Sequence, residues 1–187
     1  MSGNELIEGF MEAARRVGAA VERCPDLAAA VDYVRRNAGG TLLLPTFASG
    51  ERLGIAERLR EAGVEVLDAD FRQHAPKAAA GLTGANFAIA DTGSVVLEST
   101  PEPIRLATTL PERHFVLVDA GKVVANGLEA APILRQFHQS QPRNYLAYIT
   151  GPSRTADIER VLTIGVHGPK ELHVLVLEGI SDDYLEM

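Results

Sequence analysis

Among its 187 residues the chain has one cysteine and no tryptophan. A single thiolate, Cys24, can close no disulfide within the chain, and it cannot by itself build an iron–sulfur cluster or a cysteine-based zinc site. Cys24 precedes Pro25 in a turn leading into a helix, and nothing beside it would lower a thiol pKa, so it reads as structural. Long apolar runs are also missing: no stretch reaches the roughly 18 residues that a membrane span needs. The first ten residues carry acids where a secretion signal would be basic and then apolar, so a cytoplasmic protein without a membrane segment is expected. Basic charge is scarce. Lys and Arg total 18 against 25 Asp and Glu, a formal net charge of −7, and the arginines are scattered. Nucleic acid, which requires a basic face to displace counterions, is not an expected partner. Walker A and Gly-x-Gly patterns are absent, which disfavours an ATP loop and a dinucleotide fingerprint. His74, His114, His138 and His173 lack the close spacing of zinc ligands, so no metal and no cofactor are expected.

What remains is an ordinary globular composition, 46% apolar and 23% charged, at a length suited to one domain. A helical segment over 1–38 is expected to pack on a core at about 39–180. Helical periodicity marks residues 5–17 and 25–37, with Pro25 and Asp26 in the first turn. A strand at 41–44, a loop at 46–50, a helix at 51–62 closed by Gly63, and a strand at 64–67 form a right-handed parallel unit. Residues 68–84 show no clear pattern. Strands at 87–90 and 94–98 flank the short turn Asp91-Thr92-Gly93, and the proline-rich stretch 100–111 reads as loop. A strand at 114–119, a turn into 122–125, a helix at 128–139, a buried strand at 145–149, a helix at 154–163 and a strand at 173–177 complete the chain. Alternating helices and strands with antiparallel pairs in the middle predict a three-layer α/β/α sandwich around a mixed, mainly parallel sheet.

Open sheets of this kind bind ligands beyond the carboxyl ends of their parallel strands. Three loops there combine glycine with hydroxyls: 46–50; Asp91, Thr92, Gly93 and Ser94; and Thr150, Gly151, Ser153, Arg154 and Thr155. The third is the strongest anion site, because a strand, a glycine turn and a helix capped by Ser153 would aim free N–H groups at one spot. Asp91 ends a buried strand beside two hydroxyls. It reads either as a nucleophile, general base or metal ligand, or as a turn aspartate holding its own backbone. His167 is open in the same way, as a base or ligand, a subunit contact, or part of a helix-ending turn. A ten-residue helix is about 15 Å long. With Ser153 at one end and His167 past the other, the two are expected not to share a site.

Four motifs carry a resemblance to a known family. A-I-A-D-T-G-S-V-V-L (88–97), L-P-x-x-H-F-V-L-V (110–118), G-P-S-R-T-A-D-I-E (151–159) and G-V-H-G-P (165–169) resemble the LUD-domain family in the same order. Relatives often carry Glu where this chain has Asp91. The resemblance implies a fold similar to the glucosamine-phosphate isomerase, ribose-phosphate isomerase and CoA-transferase group. It also implies a non-redox part in oxidation of L-lactate to pyruvate, beside partner subunits that carry the iron–sulfur chemistry. Asp157, His167 and Gly168 come with the motifs, their roles unassigned. The competing reading is a free-standing enzyme or binding protein for an acyl-CoA or phosphorylated metabolite, with Asp91 as its carboxylate and Gly151–Thr155 as its anion turn. Self-association into a homo-oligomer stays open.

Overall fold

The computed structural model describes residues 2–140, 143–156 and 160–187. Helix α1 (Gly3–Arg16) begins in a capping box between Ser2 and Glu5, and β1 (Ala20–Arg23) follows it. Helix α2 (Leu27–Asn37) starts at Asp26, whose carboxylate accepts from the Ala29 N–H, so Asp26 is the cap and Pro25 lies before the helix. After β2 (Leu42–Leu43), the single helix expected at 51–62 is two, α3 (Ala48–Arg52) and α4 (Ile55–Glu61). Gly54 breaks them, with φ of 62° in the left-handed region. Then come β3 (Val66–Leu67), α5 (Phe71–His74), β4 (Ala80–Gly84), β5 (Phe87–Ile89), β6 (Ser94–Glu98) and α6 (Glu102–Thr109). Strand β7 (Arg113–Asp119), a 3-10 turn, β8 (Val123–Val124) and α7 (Gly127–Ser140) follow. The described part ends with β9 (Leu146–Ile149), β10 (Arg154–Thr155), β11 (Thr163–Ile164) and β12 (Glu171–Leu177).

Six strands form one wholly parallel sheet in the order β1-β12-β7-β4-β2-β3. Its central strands are apolar on both faces, as a sheet covered on both sides requires. On one face Phe115, Leu117, Leu175 and Leu82 pack against α2, α4 and Phe47. On the other, Val116, Val118, Val174 and Val176 pack against α1 and a second sheet. The expected class holds: a mixed α/β fold with a mainly parallel central sheet flanked by helices. The antiparallel pairs, however, sit in their own four-stranded sheet, β8-β5-β6-β9, whose outer face is covered by α7.

Two elements escaped the pattern for steric reasons. Strand β4 reads A-G-L-T-G, with little strand propensity, because Gly81 lies where a Cβ would collide with the Ala107 backbone of α6. Helix α6 lies in the stretch read as loop, and Pro103 sits within its first turn, where a missing N–H costs nothing. Strand β1, inside the expected helical segment, is the edge of the main sheet. Among the described residues no helix is long and apolar enough to cross a membrane.

Candidate functional site

The helix expected at 154–163 does not form. Arg154 pairs with Ile164 and Thr155 with Thr163, antiparallel. The Ser153 N–H donates to the Pro169 carbonyl at 2.9 Å, and the Gly165 N–H donates to the Ser153 carbonyl at 2.9 Å. The physical reason lies in the ends of the segment. Thr155, Thr163 and Ile164 are β-branched and pair across the hairpin, while Val161 and Leu162, two of the periodic apolar positions, stand exposed. Asp157, with Ile158 and Glu159, lies outside the described residues. The turn at Gly151–Thr155 therefore lacks the helix N-terminus that an anion site there would need.

The hairpin also overturns the expected separation of Ser153 and His167. It folds the chain back, so that Gly168 packs directly on the Ser153 side chain. Ser153, His167 and Gly168 line one open groove of about 310 Å³ with Thr150, Gly151, Pro152 and Tyr148. Thr108 and Thr109 at the end of α6, and His114 and Leu172 near the starts of β7 and β12, form the facing part of its wall. The groove thus lies at the amino ends of two parallel strands, opposite to the expected face. Strand β9, read as buried, is a half-exposed edge strand whose Tyr148 reaches the groove.

Gly151 places the turn after β9. Its φ is 73°, and a Cβ there would collide with the Val17 carbonyl at the end of α1. The Arg154 guanidinium donates to the same Val17 carbonyl, and neither Arg154 nor Thr155 is part of the groove wall. Ser94 bridges two other predicted residues. Its hydroxyl lies 2.8 Å from that of Thr92 and 2.7 Å from that of Thr150, a chain of three hydroxyls from the β5–β6 turn to the groove. Gly93 presses on the α1 backbone at Ala13 and Ala14, with φ of 66°. Asp91 is exposed in that turn, its N–H donating to the Ala125 carbonyl, and it is not part of the groove wall.

His114 is the residue that sequence reasoning passed over, although it stands inside the L-P-x-x-H motif. It is 1% exposed. Its Nε2 lies 2.9 Å from the Thr83 hydroxyl, and its Nδ1 has no partner. Burial first, and then the neighbouring His173, push its pKa down to about 3, so the imidazole is neutral at ordinary pH. A neutral ring beside the groove offers one nitrogen that can donate or accept, according to tautomer. The loop 46–50 lies elsewhere. It becomes the start of α3 and borders a second cavity, near the Arg60–Asp68 ion pair, at the carboxyl ends of β2 and β3. Cys24 is buried, and burial pushes its thiol up to about 11. Among the described residues no group of three His, Cys, Asp or Glu is placed to hold a metal.

The LUD-domain profile matches residues 7–177. Lactate utilization protein C of Anoxybacillus flavithermus is 31% identical over 148 residues, which cover 77% of this chain and 66% of that protein. Its namesake in Bacillus subtilis is 32% identical over 158 residues, covering 78% and 66%. The chain thus spans about two thirds of the length of these relatives. A crystal structure of a DUF162 family protein from Deinococcus radiodurans superposes with a TM-score of 0.67 at 20% identity, over 95% of this chain and 99% of that one, so the two share a fold. With the domain profile running through nearly its whole length, the chain belongs to the LUD-domain family.

Proposed function

We propose that this chain is a non-redox member of an L-lactate-utilising system and works beside partner proteins that carry iron–sulfur clusters. The observation that carries the reading is its similarity to the two proteins named lactate utilization protein C, over more than three quarters of its length. Its cysteine chemistry agrees. One thiol, 5% exposed and with its pKa pushed up to about 11, is a poor cluster ligand, so electrons would pass through other chains. The groove between Ser153, His114 and His167 is the ligand site in this reading. At about 310 Å³ it is at the small end of ligand pockets, a size for a short hydroxy or oxo acid. The alternative, an enzyme for acyl-CoA or phosphorylated metabolites centred on Asp91, has less support. Asp91, its candidate carboxylate, stands outside the groove wall.

Affinity purification of the chain from cells grown on L-lactate tests the partnership. Iron and acid-labile sulfide should co-purify with it in stoichiometric amounts, and the purified chain alone should contain neither. Recovery of the chain without any cluster-bearing protein, under conditions where lactate is being consumed, would contradict the reading.

A further inference from the structure

At the carboxyl ends of the central strands, where open α/β sheets ordinarily take ligands, the chain covers itself. Residues 180–187 contain neither helix nor strand and cross the ends of β4 and β7. Side chains of the fold hold this segment. The Lys122 ammonium, 2% exposed, donates to the carbonyls of Asp183 and Glu186 at 2.7 Å each. Asn86 Nδ2 donates to the Tyr184 carbonyl at 3.0 Å, and the Ser49 N–H donates to the Met187 carbonyl at 3.0 Å. The Arg52 guanidinium pairs with the Glu186 carboxylate. Gly84, at the end of β4, has no room for a Cβ beside Met187.

We propose that residues 182–187 act as an internal ligand of a carboxylate site built by Lys122, Arg52, Asn86 and Ser49, and that a small monocarboxylate binds there when the segment lifts away. Three observations carry this. The buried Lys122 ammonium feels the charges of Asp119, Asp183 and Glu186 but donates to carbonyls, not to a carboxylate, and a carboxylate in direct contact would answer its charge better. The Ser49 hydroxyl is buried beside this segment and has no hydrogen-bond partner, so one polar group of the site is unanswered. Glu186 already places a carboxylate on Arg52, and that carboxylate also accepts from the Ser181 hydroxyl at 3.0 Å. The segment thus mimics the ligand it excludes.

Charge sets the ligand class. With the segment away, Lys122 and Arg52 face Asp119, the one acid left at the site. Its carboxylate remains bound by the N–H groups of Gly121, Ile180 and Ser181 at 2.7, 2.5 and 3.0 Å. Two cations against one anion leave a single positive charge, which suits a monocarboxylate. The Asp119 contacts to Ile180 and Ser181 serve as the hinge, next to Gly179 with φ of 74°. Tyr184 is the latch, its ring edge-on to Phe87 with centroids 6.5 Å apart.

The test titrates the full chain with acetate and with pyruvate, against chloride at equal ionic strength, while following hydrogen exchange of residues 182–187. Carboxylate, but not chloride, should bind and accelerate exchange in this segment. Tyr184→Ala should tighten binding, up to about tenfold, because it raises the fraction of open molecules. Lys122→Met should abolish binding, and Arg52→Gln, at a half-exposed position, should weaken it while leaving the chain folded. Absence of carboxylate binding would overturn the proposal, as would binding that leaves exchange of 182–187 unchanged or is indifferent to both Tyr184→Ala and Arg52→Gln. The proposal does not depend on lactate utilisation: a chain with no part in that process would still show Arg52-dependent binding.

Discussion

Burial changes what His114 can do, and the change has a sign that can be measured. In the unfolded chain its imidazole takes up a proton near pH 6.5, but in the fold only near 3. Between those values the unfolded state holds more protons, so this residue's contribution to stability is complete above about pH 6.5 and is lost as the pH falls. The slope should approach about 1.4 kcal/mol per pH unit in that window. Denaturant midpoints measured from pH 4 to 7 should fall less steeply for His114→Gln than for the parent chain; equal slopes would place the lost protonation elsewhere. Cys24 makes the opposite kind of prediction. With its thiol pushed up to about 11 and buried, it should resist iodoacetamide at pH 8 and react promptly once urea unfolds the chain. Fast labelling of the native chain would refute its structural role. Gly151 is fixed by conformation and space together, since a side chain there would be both strained at φ of 73° and driven into the Val17 carbonyl. Gly151→Ala should cost about 2–4 kcal/mol of stability in equilibrium unfolding.

At the scale of elements, the hairpin of β10 and β11 decides whether there is one site or two. Thr155 and Thr163 are direct partners across it, so their Cα atoms should lie about 5 Å apart, within reach of a disulfide. In a helix the same residues, eight apart, would be separated by about 12 Å. The variant with Thr155→Cys and Thr163→Cys should therefore oxidise readily within one chain, and failure to do so would return the segment to a helix and separate Ser153 from His167. Periodicity misled here because Ile158, Val161 and Leu162 fit a helical face, while the pairing of Thr155 with Thr163 leaves little trace in sequence. Elsewhere pattern was a good guide. The apolar run 114–119 reads as a strand buried on both faces, and the 94–98 strand with its short turn reads as a hairpin, because burial and turn chemistry act locally there. Strand β4 and helix α6 were illegible since each is shaped by the other: Gly81 is small because Ala107 lies on it, which no local pattern records. Of the residues that line the groove, Thr150, Gly151 and Ser153 were singled out from turn chemistry. His114 was missed because a histidine in an apolar strand shows its free nitrogen only once its neighbours are known.

On the scale of the whole molecule, the chain presents the two ends of one parallel sheet to two kinds of chemistry. The amino ends of β7 and β12 border a groove of hydroxyls and imidazoles, and the carboxyl ends of β4 and β7 border a cationic site closed by the chain itself. The groove joins three of the four motifs that carry the family resemblance, so family membership and site geometry meet at His114, Ser153 and Gly168. A part in lactate utilisation without redox chemistry of its own is the reading these features support best, with electrons left to cluster-bearing partners. The most direct measurement is growth of the source organism on L-lactate as sole carbon source after deletion of this chain. The account predicts that growth is lost, is restored by the parent chain, and is restored poorly by a folded Ser153→Val variant. Undiminished growth of the deletion strain on L-lactate would contradict it.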